Sequence, residues 1–305
     1  MTELTSEAAA DAYCLMLANQ HYENFTVASK ILPAPLRVHL ARIYAFCRTT
    51  DDLGDESRGD GIDRLSAWRQ QVQQMFESAA TPIHPVLIAL NRTVKQFDMT
   101  DEPFLDLIAA NVQDQSVSEY QTWDELLAYC QWSAAPVGRM VLNVFGVNNQ
   151  RAIKLSDDVC IGLQLANFAQ DVKRDREIGR TYLVQQDIRE HGIAGAVREH
   201  CHRALSLLAS GRELETMVPP RLSIQLSLYR LGGEAIVSAV RETGYRTDQT
   251  RPRVSNKDKV KIIAVALLRR GGRVDHAWAR HIEGTGGAAA YRTSDPSSGI
   301  SRHRG

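Results

Sequence analysis

Carboxylates at helical spacing occur twice in this chain. In "RTTDDLGDE", residues 48 to 56, Asp51 and Asp55 stand four residues apart, directly after the apolar run "LARIYAFC". In "LQLANFAQDVKRDREIGRTYL", Asn167, Asp171 and Asp175 recur at i, i+4 and i+8. Residues four apart share a helix face, so each set makes one polar stripe. Like charges on one face repel and call for a compensating cation. Oxygen donors without His or Cys suit a hard ion, and Mg2+ takes one or two carboxylates plus the oxygens of a phosphate. Calcium would expect the DxDxDG spacing of an EF-hand, which the chain lacks. Asp51, Asp55, Asn167, Asp171 and Asp175 are therefore the expected metal-facing set, on two walls of a helical cavity.

Cations cluster around both stripes. Arg48 lies one turn before Asp51, and Lys173, Arg174 and Arg180 surround the second stripe. Arg251 and Arg253 follow in "TRPRVSNKDK". Guanidinium and ammonium groups beside a metal site suit a diphosphate, although each alone also fits a solvated surface. Between the acidic segments, "YCQWSAAPVGRMVLNVFG" sets the small residues Ser133, Ala134, Ala135 and Gly138 among large apolar ones. Two readings stand: close helix packing, or one wall of a long apolar pocket. Phe25 and Tyr44 line the same pocket or belong to the core.

The elements that must carry these residues are helices. Apolar residues recur at three and four in Leu36, Leu40, Ile43 and Cys47, and in Leu87, Leu90, Val94 and Phe97. Similar periodicity predicts helices over 4 to 20, 62 to 78, 102 to 115, 122 to 145, 151 to 175, 194 to 215, 221 to 242 and 255 to 270. Pro33 and Pro35 precede one helix, Pro82 and Pro85 open another, and Gly146 closes a third. Strand-like alternation between hairpin turns is absent. The expected fold is all-α, a single-domain helical bundle over residues 1 to 282, with a small, polar, disordered tail over 283 to 305.

Composition excludes several classes. The 305 residues carry 36 basic and 36 acidic side chains, so no global field attracts nucleic acid. Five cysteines without CxxC pairs argue against a zinc site or a disulfide framework. The acidic start, "MTELTSEAAADAYCLML", does not read as a signal peptide. No apolar run approaches the ~18 residues of a membrane span. The expected location is the cytoplasm, with loose peripheral membrane contact. No GxGxxG follows a strand, so no nicotinamide site is expected.

Together these segments resemble the head-to-head prenyl synthases, the squalene and phytoene synthase family. "HYENF", "IYAFCRTTDDLGDE", "SAAPVG", "QLANFAQDVKRDREIGRTYL" and "RPRVS" carry the likeness, over about residues 11 to 270. The resemblance implies an isoprenoid synthase bundle around an apolar channel, with two Asp motifs holding Mg2+ against a prenyl diphosphate. It implies Asp51, Asp55, Asp171 and Asp175 as metal ligands with Asn167 beside them, and Tyr44 and Tyr182 close to the chemistry. Arg48, Arg180 and Arg251 would contact diphosphate, and His21, Asn24 and Phe25 would lie near the channel mouth. Ala134, Val137, Gly138, Gln164 and Gln170 would line the substrate's path.

Two departures narrow the expectation. Asn24 stands where squalene and phytoene synthases have Ser, and Gln170 in "NFAQD" where they have Arg. Both changes, with "ENFTVAS" and "SAAPVGR", resemble the hydroxysqualene synthase branch, which ionises presqualene diphosphate and traps the rearranged cation with water. That branch implies a place in bacterial squalene and hopanoid synthesis and association with neighbouring pathway enzymes. The alternatives are condensation of two prenyl diphosphates to presqualene diphosphate, dehydrosqualene, squalene or phytoene, and a non-catalytic relative that binds lipid or serves assembly.

Overall fold

The apolar stripe ahead of the first acidic motif packs as its period predicts: Leu40, Ile43 and Phe46 are buried on one helix face. A computed structural model of the chain describes residues 6–21, 32–55, 60–78 and 81–268. All of these belong to one compact unit; the expected boundary at 282/283 lies outside them. Among the described residues there are helices and no named strand. A single isolated bridge joins Glu119 to Thr181. The all-α expectation holds.

In chain order the helices are α1 (Glu7–His21), α2 (Ala34–Asp55), α3 (Gly61–Phe76), α4 (Pro85–Phe97), α5 (Glu102–Gln113) and α6 (Trp123–Ser133). They continue as α7 (Ala135–Val144), α8 (Gln150–Glu177), α9 (Gln185–Ala209), α10 (Gly211–Met217), α11 (Pro220–Glu242) and α12 (Asn256–Leu268). The first motif ends α2, and the second occupies the last three turns of α8.

Four boundaries differ from the sequence expectation. The helix expected over 122 to 145 is two, broken at Ala134. Pro136 has no N–H to continue the ladder, and its ring crowds the carbonyl four residues back. The helix expected from 194 begins at Gln185, because Gly192 (φ 69°, ψ 176°) kinks it and the periodicity showed only the part beyond the kink. It ends at Ala209, and residues 211 to 217 form α10 instead of continuing it. Pro35 sits inside the first turn of α2 rather than before it, where a missing N–H costs nothing.

The core has two large parts joined by α7. One gathers side chains of α1 to α5, such as Phe46, Trp68, Leu87 and Phe104, and takes Met140 and Val144 from α7. The other gathers α6, α8, α9 and α11 around Leu165, Val197 and Val240. A smaller cluster holds Leu142 of α7 against Leu155, Leu214 and Leu222. Helix α7 packs on both α2 and α8, so the acidic helices belong to different parts of the core.

Helix α7 approaches α8 closely at Gly138. A Cβ there would lie 2.5 Å from the Ser156 hydroxyl oxygen and 2.7 Å from the Cys160 sulfur. Of the two readings of the small-residue segment, helix packing holds at this glycine. All five cysteines are free thiols.

Candidate active site

The end of α2 is locked in rotation by Thr50. Its buried hydroxyl donates to the Phe46 carbonyl (2.9 Å) and accepts the Trp68 indole N–H of α3 (3.0 Å). Asp51, next in sequence, thereby turns toward α5. There the Asn111 side-chain amide donates to Asp51 Oδ1 at 3.3 Å and to its own helix at Leu107. One turn on, Gln115 donates to the Gly54 carbonyl at 2.9 Å. Gly54 permits this contact, since a Cβ there would stand 2.9 Å from Asn111 Oδ1.

Arg48 lies one turn before Asp51 on α2. Its guanidinium pairs with Asp52, not Asp51, because four residues along a helix suit an ion pair well. Burial works against its charge, but the Asp52 bond and the neighbouring Asp51 and Tyr44 outweigh this and raise the Arg48 pKa. Arg48 Nε is buried without a hydrogen-bond partner. That orphan donor is suited to an anionic oxygen.

At the second motif, Asp171 is held by Arg251. The guanidinium Nε donates to Oδ1 and Nη2 donates to Oδ2 at 3.2 Å. Buried Gln170 braces the same segment, its Nε2 donating to the Pro252 carbonyl (2.9 Å) and its Oε1 accepting from Arg251 Nη2 (3.5 Å). Asp175 is half-buried. Desolvation first, and then the Asp171 charge, push its pKa up to about 7, while Arg174, Arg180 and Arg251 pull the other way.

The two motifs meet through the end of α5. Beyond Asn111 and before Gln115, Asp114 accepts the hydroxyl of Tyr129 (2.8 Å) and that of Tyr182 (3.2 Å). Arg180 donates to the Asp114 carbonyl (3.2 Å), and its Nη1 lies 3.8 Å from the carboxylate. The Arg180 backbone N–H bonds the Asp175 carbonyl at 2.8 Å. Tyr182 stacks on Phe168 of α8, centroids 4.1 Å apart and planes 5° from parallel, and also on Tyr129 at 5.8 Å. Burial and Asp114 raise the pKa of Tyr129 and Tyr182, so both phenols remain proton donors.

The remaining expected site residues fall as follows. Tyr44 is half-buried on α2, Val137 packs against the first core cluster, and Ala134 is buried at the α6/α7 break. Gln164 is half-buried on α8, and Asn167 is exposed. Asn24 and Phe25 lie outside the described residues. His21 and Asp55 end their helices, and their side chains are likewise outside the description. Asn111, Asp114, Gln115 and Tyr129 escaped the sequence reading. The signal for the first three was present in "NVQDQ", amides and an acid at helical spacing closing an apolar helix.

Among the described residues no three carboxylate, imidazole or thiol groups converge as a ready-made metal cage. The donors fit Mg2+ nonetheless. Asp171 and Asp175 are adjacent, partly buried and mutually repelling, which a divalent ion would relieve. Mg2+ completes its shell with water and substrate oxygens rather than with protein alone.

Known proteins agree with this architecture. A solved squalene synthase, HpnC from Alicyclobacillus acidocaldarius, superposes with a TM-score of 0.74 at 42% identity, covering 78% of this chain and 95% of that one. The fold is the isoprenoid synthase bundle. The squalene/phytoene synthase family model matches residues 18–258, and the chain belongs to that family of head-to-head prenyl diphosphate enzymes. A hydroxysqualene synthase from Rhodopseudomonas palustris is 30% identical over 82% of this chain and 87% of its own length. A phytoene synthase from Arthrospira platensis is 32% identical over 60% of this chain, and the match spans 64% of that protein.

Proposed function

We propose that this chain converts presqualene diphosphate and water to hydroxysqualene and diphosphate. The observation that carries the reading is the surrounding of Gln170. A neutral amide, fully engaged with Pro252 and Arg251, stands directly before Asp171, so Arg251 is the guanidinium that meets this carboxylate. One diphosphate needs no more cationic charge there, whereas two would. The similarity to a hydroxysqualene synthase along most of both chains points the same way.

In this reading the substrate's C–O bond breaks and diphosphate leaves with the electron pair. Mg2+ held by Asp51, Asp55, Asp171 and Asp175 would supply Lewis-acid neutralisation of the departing charge. Arg48, through its orphan Nε, and Arg251 hold the phosphate oxygens in place. The mutually stacked rings of buried Phe168, buried Tyr129 and half-buried Tyr182 would wall the carbocation's site and exclude bulk water. Tyr182 commits its proton to Asp114, and its oxygen, which accepts a long bond from Arg180 Nη1 (3.5 Å), keeps one lone pair as an acceptor. An acceptor at that point orients one water with its oxygen toward the cation. A new C–O bond forms, and the surplus proton leaves to solvent or to diphosphate.

Purified chain with Mg2+ is given presqualene diphosphate or farnesyl diphosphate separately, in 18O-labelled water. The expected result is labelled hydroxysqualene from the first substrate alone. Conversion of farnesyl diphosphate to presqualene diphosphate, dehydrosqualene or squalene would replace this reading by head-to-head condensation. Binding of either diphosphate without turnover would favour a non-catalytic relative.

A further inference from the structure

We propose that α12 is an interfacial helix that seats the protein on an anionic lipid surface. Its inner face is ordinary core: Ile262 and Ala266 are buried, and the helix packs on α11. Its outer face is apolar as well. Val260 and Leu268 are each 66% exposed and Leu267 is 46% exposed, with exposed Ala264 among them. At about 100° per residue, Val260, Ala264 and Leu267 fall within about 60° of one another, and Leu268 adjoins them. Large aliphatic side chains grouped on an outer face indicate a partner rather than water.

Charge identifies the partner. Exposed Lys261 borders the apolar face and exposed Lys257 falls within its arc one turn before it, with Lys261 also 3.6 Å from Asp258. Between residues 256 and 273 the sequence holds six basic residues, Lys257, Lys259, Lys261, Arg269, Arg270 and Arg273, against the single acid Asp258. This excess stands out in a chain whose acids and bases balance overall. An apolar face rimmed by lysine lies in the plane of an anionic bilayer, with the aliphatic groups at the acyl boundary and the ammonium groups among phosphates. A second copy of this chain would instead bring two lysine rims together. Thirteen residues give about 20 Å of helix, too short to span a bilayer, and no described helix is long and apolar enough to cross one.

Location adds a consequence. Helix α12 begins five residues after Arg251, the residue paired with Asp171. Five residues reach at most about 18 Å, so a bilayer under α12 lies close to the segment that closes the second acidic motif. A lipid-borne substrate would then be presented beside its site.

The test uses the full chain, without substrate or metal, and co-sedimentation with vesicles of phosphatidylcholine alone or with 30% phosphatidylglycerol, a proportion of roughly one anionic lipid in three. Binding is expected at least about tenfold stronger to the anionic vesicles and lost in high salt. Lys257→Gln and Lys261→Gln should each weaken it about fivefold. Val260→Glu/Leu267→Glu/Leu268→Glu should abolish it while leaving the circular dichroism and thermal melting of the free protein unchanged. Equal binding to both vesicles, equal binding by the triple variant, or a dimer that the triple variant dissolves would each overturn the proposal. Because no substrate is present, failure here leaves the proposed reaction untouched.

Discussion

The two acidic stripes share a spacing but are compensated in opposite ways. Asp51 receives a neutral amide from Asn111, and the neighbouring guanidinium is diverted to Asp52. Asp171 is clamped by Arg251, and Asp175 beside it is held near neutrality by burial and by Asp171 itself. One wall thus offers a hydrogen-bonded carboxylate together with an idle Arg48 donor. The other offers a carboxylate already satisfied by a cation. A metal diphosphate bound at the second wall would compete with Arg251 for Asp171. The lesson is that a repeated sequence device need not fold into a repeated electrostatic one.

The sharpest way to break this contrast is to neutralise each wall in turn. Asp51→Asn and Asp171→Asn are each expected to lower Mg2+-dependent turnover by about 10³-fold or more, and chelation by EDTA to abolish it, if both serve one diphosphate. A loss below about tenfold at Asp51 in steady-state assays would leave the second wall as the working metal site. Arg251→Ala should raise the substrate KM by roughly ten- to a hundredfold, with Arg251→Lys recovering part of it, since a bidentate fork is replaced by a point charge. An unchanged KM would make the Arg251 clamp purely architectural.

The polar link between the walls should show in stability. Asp114→Ala strands the phenols of buried Tyr129 and half-buried Tyr182 and is expected to cost about 2–3 kcal/mol in urea denaturation, against about 1 kcal/mol for Asn111→Ala. Comparable losses would place the link's strength at α2 instead of at the tyrosines.

The smallest effect depends on pH. The folded pKa of Asp175 is raised to about 7, above the unfolded value near 3.9, so the folded state binds the proton more tightly. The cost of ionising it is absent below about pH 4, grows as pH rises toward 7 and is complete above that. In metal-free protein, Asp175→Asn should therefore add nothing at pH 4 and about 1–2 kcal/mol at pH 8, a figure reduced for solvent screening. A pH-independent gain would mean that neither burial nor the Asp171 charge raises the Asp175 pKa.

Much of this was legible in the sequence. The 3.6 periodicity exposed the helices, and carboxylates at i, i+4 exposed both stripes, because helix geometry is local and repeats. The kink at Gly192 and the break before Pro136 were harder to read, since each lies inside a run whose apolar pattern continues. Pairing choices were not legible: whether Arg48 turns to Asp51 or Asp52, and whether Arg251 reaches Asp171 across 80 residues, depends on packing. Asn111, Asp114 and Gln115 were overlooked because a single turn of amides and one acid looks like an ordinary solvated helix end. Only the tertiary contacts with Gly54, Tyr129 and Tyr182 distinguish it.

That same turn of α5 belongs to neither acidic helix, yet it touches both motifs. It works as a spacer between two fixed walls. A combinatorial library confined to positions 111, 114 and 115 would retune the gap without altering any motif aspartate, and so select for substrate size independently of the ionising chemistry.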